Sequence, residues 1–161
     1  MLARARQRVL LLEAAREPGG TLREIEFAPK FRAAPLAADL GAPETLRGLP
    51  EVDAVVYAAA ADGSTEEAYR RAYVDGVRNL LAAPALKRSP PRRFFFVSST
   101  AVYAQDGGEW IDESSPAEAT HFRARLLLEG ERLLRDSTSA TTGVTVLRLS
   151  GIYGPGRTRL V

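Results

Sequence analysis

Three hydroxyls stand in a row at Ser98-Ser99-Thr100, directly after the apolar run Phe94 to Val97 and shortly before Tyr103. A hydroxyl at a strand end can hold a ligand oxygen by a hydrogen bond, or it can cap the backbone of its own strand. The single histidine, His121, is of the residue type that can act as a base at neutral pH. Arg125, one helical turn further on, carries a permanent charge but cannot shuttle protons. Asp112-Glu113 has the form of an acid pair, and Lys87, Arg88, Arg92 and Arg93 read most simply as a solvated surface turn. The sequence has no cysteine and one histidine. Disulfides, cysteine nucleophiles and multi-histidine zinc sites are thereby excluded, and no metal site is expected.

These residues sit in a chain of 161 residues, 45% apolar, with a net charge of +2. That length suits one domain with a real core. Lys30 and Lys87 are the only lysines. Such arginine dominance, with abundant alanine, reads as the imprint of a GC-rich genome and not as a nucleic-acid surface. No apolar run approaches the ~18 residues of a membrane span, and Val9 to Leu12 is too short for a signal-peptide core. The expectation is a cytoplasmic protein with no membrane partner.

The elements that must position the hydroxyls alternate between strand and helix. Residues 2–17 are rich in good helix formers, with Pro18-Gly19-Gly20 as a stop; a second register makes Arg8 to Ala14 the first strand. Residues 21–27 alternate like a short strand, and 34–40 suggest a strand end running into a loop. Pro43 to Leu46 suggests one helical turn. Val52 to Ala60 is a nearly continuous apolar run, as in a strand buried on both faces. Ser64-Thr65-Glu66-Glu67 reads as a capping box with Ser64 as the cap. Tyr69, Ala72, Tyr73, Val77, Leu80 and Leu81 follow at helical spacing, and Pro84 ends that unit. Phe94 to Val97 is the next buried strand, the stretch around Phe122, Leu126 and Leu133 a long helix, and Val144 to Leu149 a last strand. This order predicts an α/β fold with a mostly parallel sheet.

The ordered set of short motifs is more specific than any one of them. Ala-Asp-Leu at 38–40, the alanines at 58–61, Tyr-Val-Asp-Gly at 73–76, Ser-Ser-Thr-Ala-Val-Tyr at 98–103, Asp-Glu at 112–113 and Ile-Tyr-Gly-Pro-Gly-Arg at 152–157 resemble the extended short-chain dehydrogenase/reductase superfamily. More narrowly, they resemble atypical members of the NAD-dependent epimerase/dehydratase family. The resemblance implies a Rossmann-like, doubly wound sheet that binds NAD or NADP at the carboxyl ends of its strands. It implies that Asp39 and Leu40 lie beside the adenine. Ala58, Ala59 and Ala60 would let the cofactor approach the backbone closely, although they suit tight helix–sheet packing equally well. Ser98, Tyr153, Gly154 and Pro155 would complete the cofactor side. Ser99 takes the place of the catalytic hydroxyl, with Thr100 as its alternate, and the substrate would be a small molecule such as a nucleotide sugar. A homodimer is compatible with the family.

Two departures stand out. The family's base is a tyrosine followed four residues later by a lysine; counted from Ser99, those places fall at His121 and Arg125, and counted from Glu131 at Arg123 and Leu127. Neither register restores the pair. No Gly-x-x-Gly-x-x-Gly spacing exists to hold a pyrophosphate at a helix N-terminus. The expected form is therefore a partial Rossmann-like domain over 1–161, truncated at both ends. It would lack the usual first strand with its glycine loop and most of the C-terminal substrate region. Three readings stay open: an NAD(P)-dependent enzyme acting by hydride transfer, a non-catalytic dinucleotide-binding module, and a non-functional fragment.

Overall fold

The computed structural model describes residues 9–13, 38–138 and 140–151. Strands β1 (Val9–Glu13), β2 (Ala54–Ala58), β3 (Arg93–Ser99) and β4 (Gly143–Leu149) form one parallel sheet in the order β1-β2-β3-β4. This is the α/β, Rossmann-like arrangement expected.

The helix expected over 2–17 does not form at its centre. Residues 9–13 pair in parallel with β2, Val9 beside Ala54 through Glu13 beside Ala58. The second register is the one adopted, and β2 has a neighbour on both sides, so the sheet does not lack a strand there. Helix propensity is a weak preference, and Val9 to Leu12 gains more by completing the ladder beside a buried strand. The strand expected over 21–27 and residues 34–37 lie outside the described part; of the rest, Asp39 and Leu40 enter a turn closed by the Ala42 amide on the Asp39 carbonyl at 3.0 Å.

Between β2 and β3 runs a broken helical layer: α1 (Glu66–Arg70), a π-helical turn over Arg71–Asp75, α2 (Gly76–Ala82) and α3 (Pro84–Arg88). The cap of α1 is Thr65, whose Oγ1 accepts from the Ala68 amide at 3.2 Å. Ser64 is therefore not the cap, and the third helical position falls on Ala68, which cannot reach back as a glutamate would. Pro84 both ends α2 and opens α3, since a first-turn proline has no amide to lose. A 3₁₀ helix over Pro43–Gly48 precedes β2, and helix α4 (Phe122–Ser137) fills the gap between β3 and β4.

Alternation along the strands places Val55, Tyr57, Phe94 and Phe96 in the core, each fully buried, beneath Leu80 and Leu134. The Tyr57 ring stacks on Phe96 at 5.6 Å, and its Oη donates to the Ala72 carbonyl at 2.5 Å. Burial, then the neighbouring Tyr73, pushes the Tyr57 phenol well above its ordinary value. The unfolded phenol ionises near pH ~10, whereas the folded one resists. The stability this group contributes is complete below that pH and is lost as pH rises toward the raised folded value. Tyr57→Phe is expected to flatten the alkaline fall in melting temperature. At neutral pH it should cost about 1 kcal/mol for the lost hydrogen bond. Thermal melts of both proteins across the alkaline range check this; an unchanged alkaline slope counts against it.

Candidate functional site

The carboxyl ends of parallel strands are where such sheets bind ligands. Three meet here: Ala58–Ala61 after β2, Ser98–Val102 after β3, and the end of β4, where Leu149 pairs with Ser99. Small side chains line the first. Ala59 is buried, Ala60 exposed, and Ala58 and Ala61 half-buried. A side chain that ends at Cβ leaves the neighbouring backbone open to a flat ligand.

The hydroxyls divide by strand alternation. Ser98 points into the helical layer, is 5% exposed, and donates its hydroxyl to Glu131 Oε1 at 2.7 Å. Its hydroxyl is committed to the interior. Ser99 Oγ accepts from the Ala101 amide at 3.2 Å, capping a 3₁₀ turn over Thr100–Val102. Its own proton has no acceptor among the described residues, so Ser99 both caps the strand and offers a donor. Thr100 opens that turn, and its carbonyl accepts from the Tyr103 amide at 3.1 Å.

Asp39 stands in a tight turn. Its Oδ1 accepts from the Gly41 amide at 2.7 Å, and Thr45 Oγ1 bonds both its amide and its carbonyl, at 2.9 and 3.0 Å. The Leu40 carbonyl accepts from Asn79 Nδ2 at 2.8 Å, which ties the turn to α2. Tyr153, Gly154 and Pro155 lie outside the described residues.

His121 is exposed at the start of α4 and caps it without a side-chain bond; its carbonyl accepts from the Arg125 amide at 3.0 Å. Arg125 is exposed and lines an open groove of about 720 Å³ with Val74, Arg78, Leu128 and Arg132. None of Ser98, Ser99 and Thr100 borders that groove. Asp112 is a loop organiser: its Oδ1 accepts from the Ser114 amide and from the Ser114 and Ser115 hydroxyls. Those bonds, Ser114's first, hold its carboxyl below the usual range although it is fully exposed.

Sequence reasoning missed the network behind the hydroxyls. Glu131, fully buried on α4, accepts from Arg148 Nη2 at 2.7 Å and Nε at 3.2 Å as well as from Ser98. Arg148 Nη1 donates to Tyr103 Oη at 2.9 Å, and that hydroxyl donates to the Asp112 carbonyl at 3.0 Å. The carboxylate of Glu131, first of all, holds the Arg148 guanidinium in its charged form, against the opposing effect of burial. One signal was available: Glu131 occupies a core position of α4, between Leu127 and Leu134, where a charge must be paired.

A profile of the NAD dependent epimerase/dehydratase family matches residues 2–160. The chain belongs to this family. Among solved structures, a putative NAD-dependent epimerase/dehydratase from Methylobacillus flagellatus is 40% identical, with a TM-score of 0.59 over 76% of this chain and 41% of its own. RMD from Pseudomonas aeruginosa, complexed with NADPH, is 28% identical, with a TM-score of 0.62 over 75% of this chain and 44% of its own. Protein YeeZ of Escherichia coli is 35% identical over 85 residues, which are 53% of this chain and 29% of that protein. The chain thus spans less than half the length of these relatives. Among the described residues, this epimerase/dehydratase chain has no group of side chains arranged to hold a metal ion and no helix long and apolar enough to cross a membrane. The strand-end alanines leave the backbone open after β2, and the Asp39 turn is tied to α2 through the Leu40 carbonyl. A glycine loop for a dinucleotide's pyrophosphate is not among the described residues.

Proposed function

We propose that this chain forms the nicotinamide-dinucleotide side of a hydride-transfer site acting on a nucleotide sugar or a similar polyol-like substrate. The observation that carries the reading is the juxtaposition of Ala58–Ala61 and Ser99–Thr100 at the carboxyl ends of adjacent strands, in a chain of the epimerase/dehydratase family. The dinucleotide would lie across the alanines with its adenosine toward Asp39 and Leu40, and when bound it would supply the hydride. Ser99, whose hydroxyl proton is uncommitted, would hold the substrate oxygen. The NADPH held by the RMD relative supports a dinucleotide in this fold.

A second reading, dinucleotide binding without turnover, is favoured by one observation: His121 and Arg125 are exposed on α4, with Arg125 directed into a groove that Ser99 does not share. Calorimetric titration of the folded chain with NADPH and NADH tests both. Saturable micromolar binding is expected. A chain that gives a folded circular dichroism spectrum but binds neither would overturn the two readings together.

A further inference from the structure

The loop between β3 and α4 carries the one tryptophan of the chain. Trp110 is 100% exposed and Ile111 beside it 40%, although tryptophan is highly buried on average. The loop that presents them is built. Gly108 takes a positive φ of 86°, which turns the chain. The Gly107 amide donates to Glu109 Oε2 at 2.9 Å. On the return limb, Tyr103 Oη donates to the Asp112 carbonyl at 3.0 Å. Residues 104–116 hold the acids Asp106, Glu109, Asp112 and Glu113 and no base.

The groove of about 720 Å³ along α4 complements that loop. Leu128 and Leu133 supply its apolar surface, and Arg78, Arg125 and Arg132 its positive charge. Arg125 and Arg132 lie two turns apart on one helix face, about 10 Å along the axis. Neither makes an ion pair among the described residues. Arg78 is paired with Asp75 at 2.8 Å, and Glu129 of the lining with Arg70 at 3.1 Å. That leaves Arg125 and Arg132 against the single carboxylate of Glu118. Arginines beside aliphatic surface suit an indole, which takes a cation over its face and carbon along its edges. They also suit the carboxylates that flank Trp110.

We propose that this groove is the docking site for Trp110 of a second copy of the chain, each protomer of a pair placing its acidic loop in its partner's groove. Ala104 and Ala117, at the two ends of the loop, line the groove themselves, so loop and groove are neighbours on one surface. A two-fold axis beside them satisfies both at once. Such an isologous contact closes at two copies. The loop is held by its own hydrogen bonds before docking, so little conformational freedom is lost. Two inserted indoles give up about 300–500 Å². Even with a like area from the grooves, the pair stays below the roughly 1,200 Å² at which stable interfaces begin. The association is accordingly weak, with micromolar dissociation. The strand-end site takes no part in it, and the inference is independent of the dinucleotide reading.

The test is sedimentation velocity of the full chain across the micromolar range, with Trp110 emission read on the same samples. The mass should rise from one chain toward two, and the emission should shift to the blue with the same midpoint. Trp110→Ala, at a fully exposed position, should fold as the parent does and stay a single chain. Arg125→Glu with Arg132→Glu, and Asp106→Arg with Glu113→Arg, should each weaken the pair about tenfold or more. An equimolar mixture of these two double variants should pair again, because every loop then meets a groove of opposite charge. A parent that stays single throughout overturns the inference and leaves the groove to another partner. A pair that survives Trp110→Ala, or a mixture that does not form, overturns it in favour of another face. A blue emission independent of concentration overturns it as well, since Trp110 would then fold into the groove of its own chain.

Discussion

Glu131→Ala should lower the unfolding free energy by about 3–5 kcal/mol, the usual cost of breaking a buried ion pair from one side. The carboxylate is fully buried, and the Arg148 side chain is 16% exposed. Truncation removes two of the three hydrogen bonds of the guanidinium and leaves little water to replace them. Ser98 also loses its acceptor, and the arginine that donates to Tyr103 Oη loses its anchor. The network ties β3, β4, α4 and the loop at Asp112 together, so the loss should register as one cooperative transition. Urea denaturation followed by circular dichroism checks this through a lower midpoint at unchanged slope. Glu131→Gln, which keeps the shape and part of the bonding, should cost about 1.5–3 kcal/mol. The double change Glu131→Leu with Arg148→Met should recover most of the loss, since an apolar pair of similar volume avoids desolvating two charges. A Glu131→Ala midpoint within error of the parent would show that the network contributes nothing net.

Gly130→Ala should destabilise the fold even though alanine is the better helix former. In an open helix the exchange gains about 1 kcal/mol. Here a Cβ would collide with the Tyr73 carbonyl, with Phe96 Cζ at 3.2 Å behind it. The first of these is backbone in a packed helix and cannot swing aside. Overpacking of this kind costs about 1–3 kcal/mol or more, so a net loss of roughly 2 kcal/mol is expected. The effect should spread to the π turn, because Tyr73 must retreat for α4 to stay docked. A thermal melt of Gly130→Ala checks the sign. A rise in melting temperature would mean that the two helices can part without cost. Gly48, whose added Cβ would meet nothing, serves as the open-space control.

Much of this fold was legible because it rests on local pattern. The short apolar runs around Val55, from Phe94 and over Val144 to Leu149, each bounded by loop residues, specify buried strands by length and composition. The spacing of Phe122, Leu126 and Leu133 specifies a helix. Val9 to Glu13 was ambiguous because its residues suit both a helix and a strand, and only a partner strand decides between them. The cap moved from Ser64 to Thr65 because neighbouring hydroxyls compete for the same role, and the docking of α1 selects one.

The candidate site divides in the same way. The order of the motifs along the chain was enough to identify the family and to place Ala58–Ala61 and Ser99–Thr100 at strand ends, because strand ends follow directly from strand positions. Which hydroxyl faces inward depends on what lies opposite: Ser98 is committed by Glu131, thirty-three residues away. The π turn that carries Tyr73 depends on Tyr57 reaching across from β2 to Ala72. Periodicity and motif spacing are properties of neighbours in sequence, and the sequence by itself determined those. The commitment of each polar group is a property of neighbours in space. Burial makes an unpaired partner costly, and so the tertiary structure alone decided it.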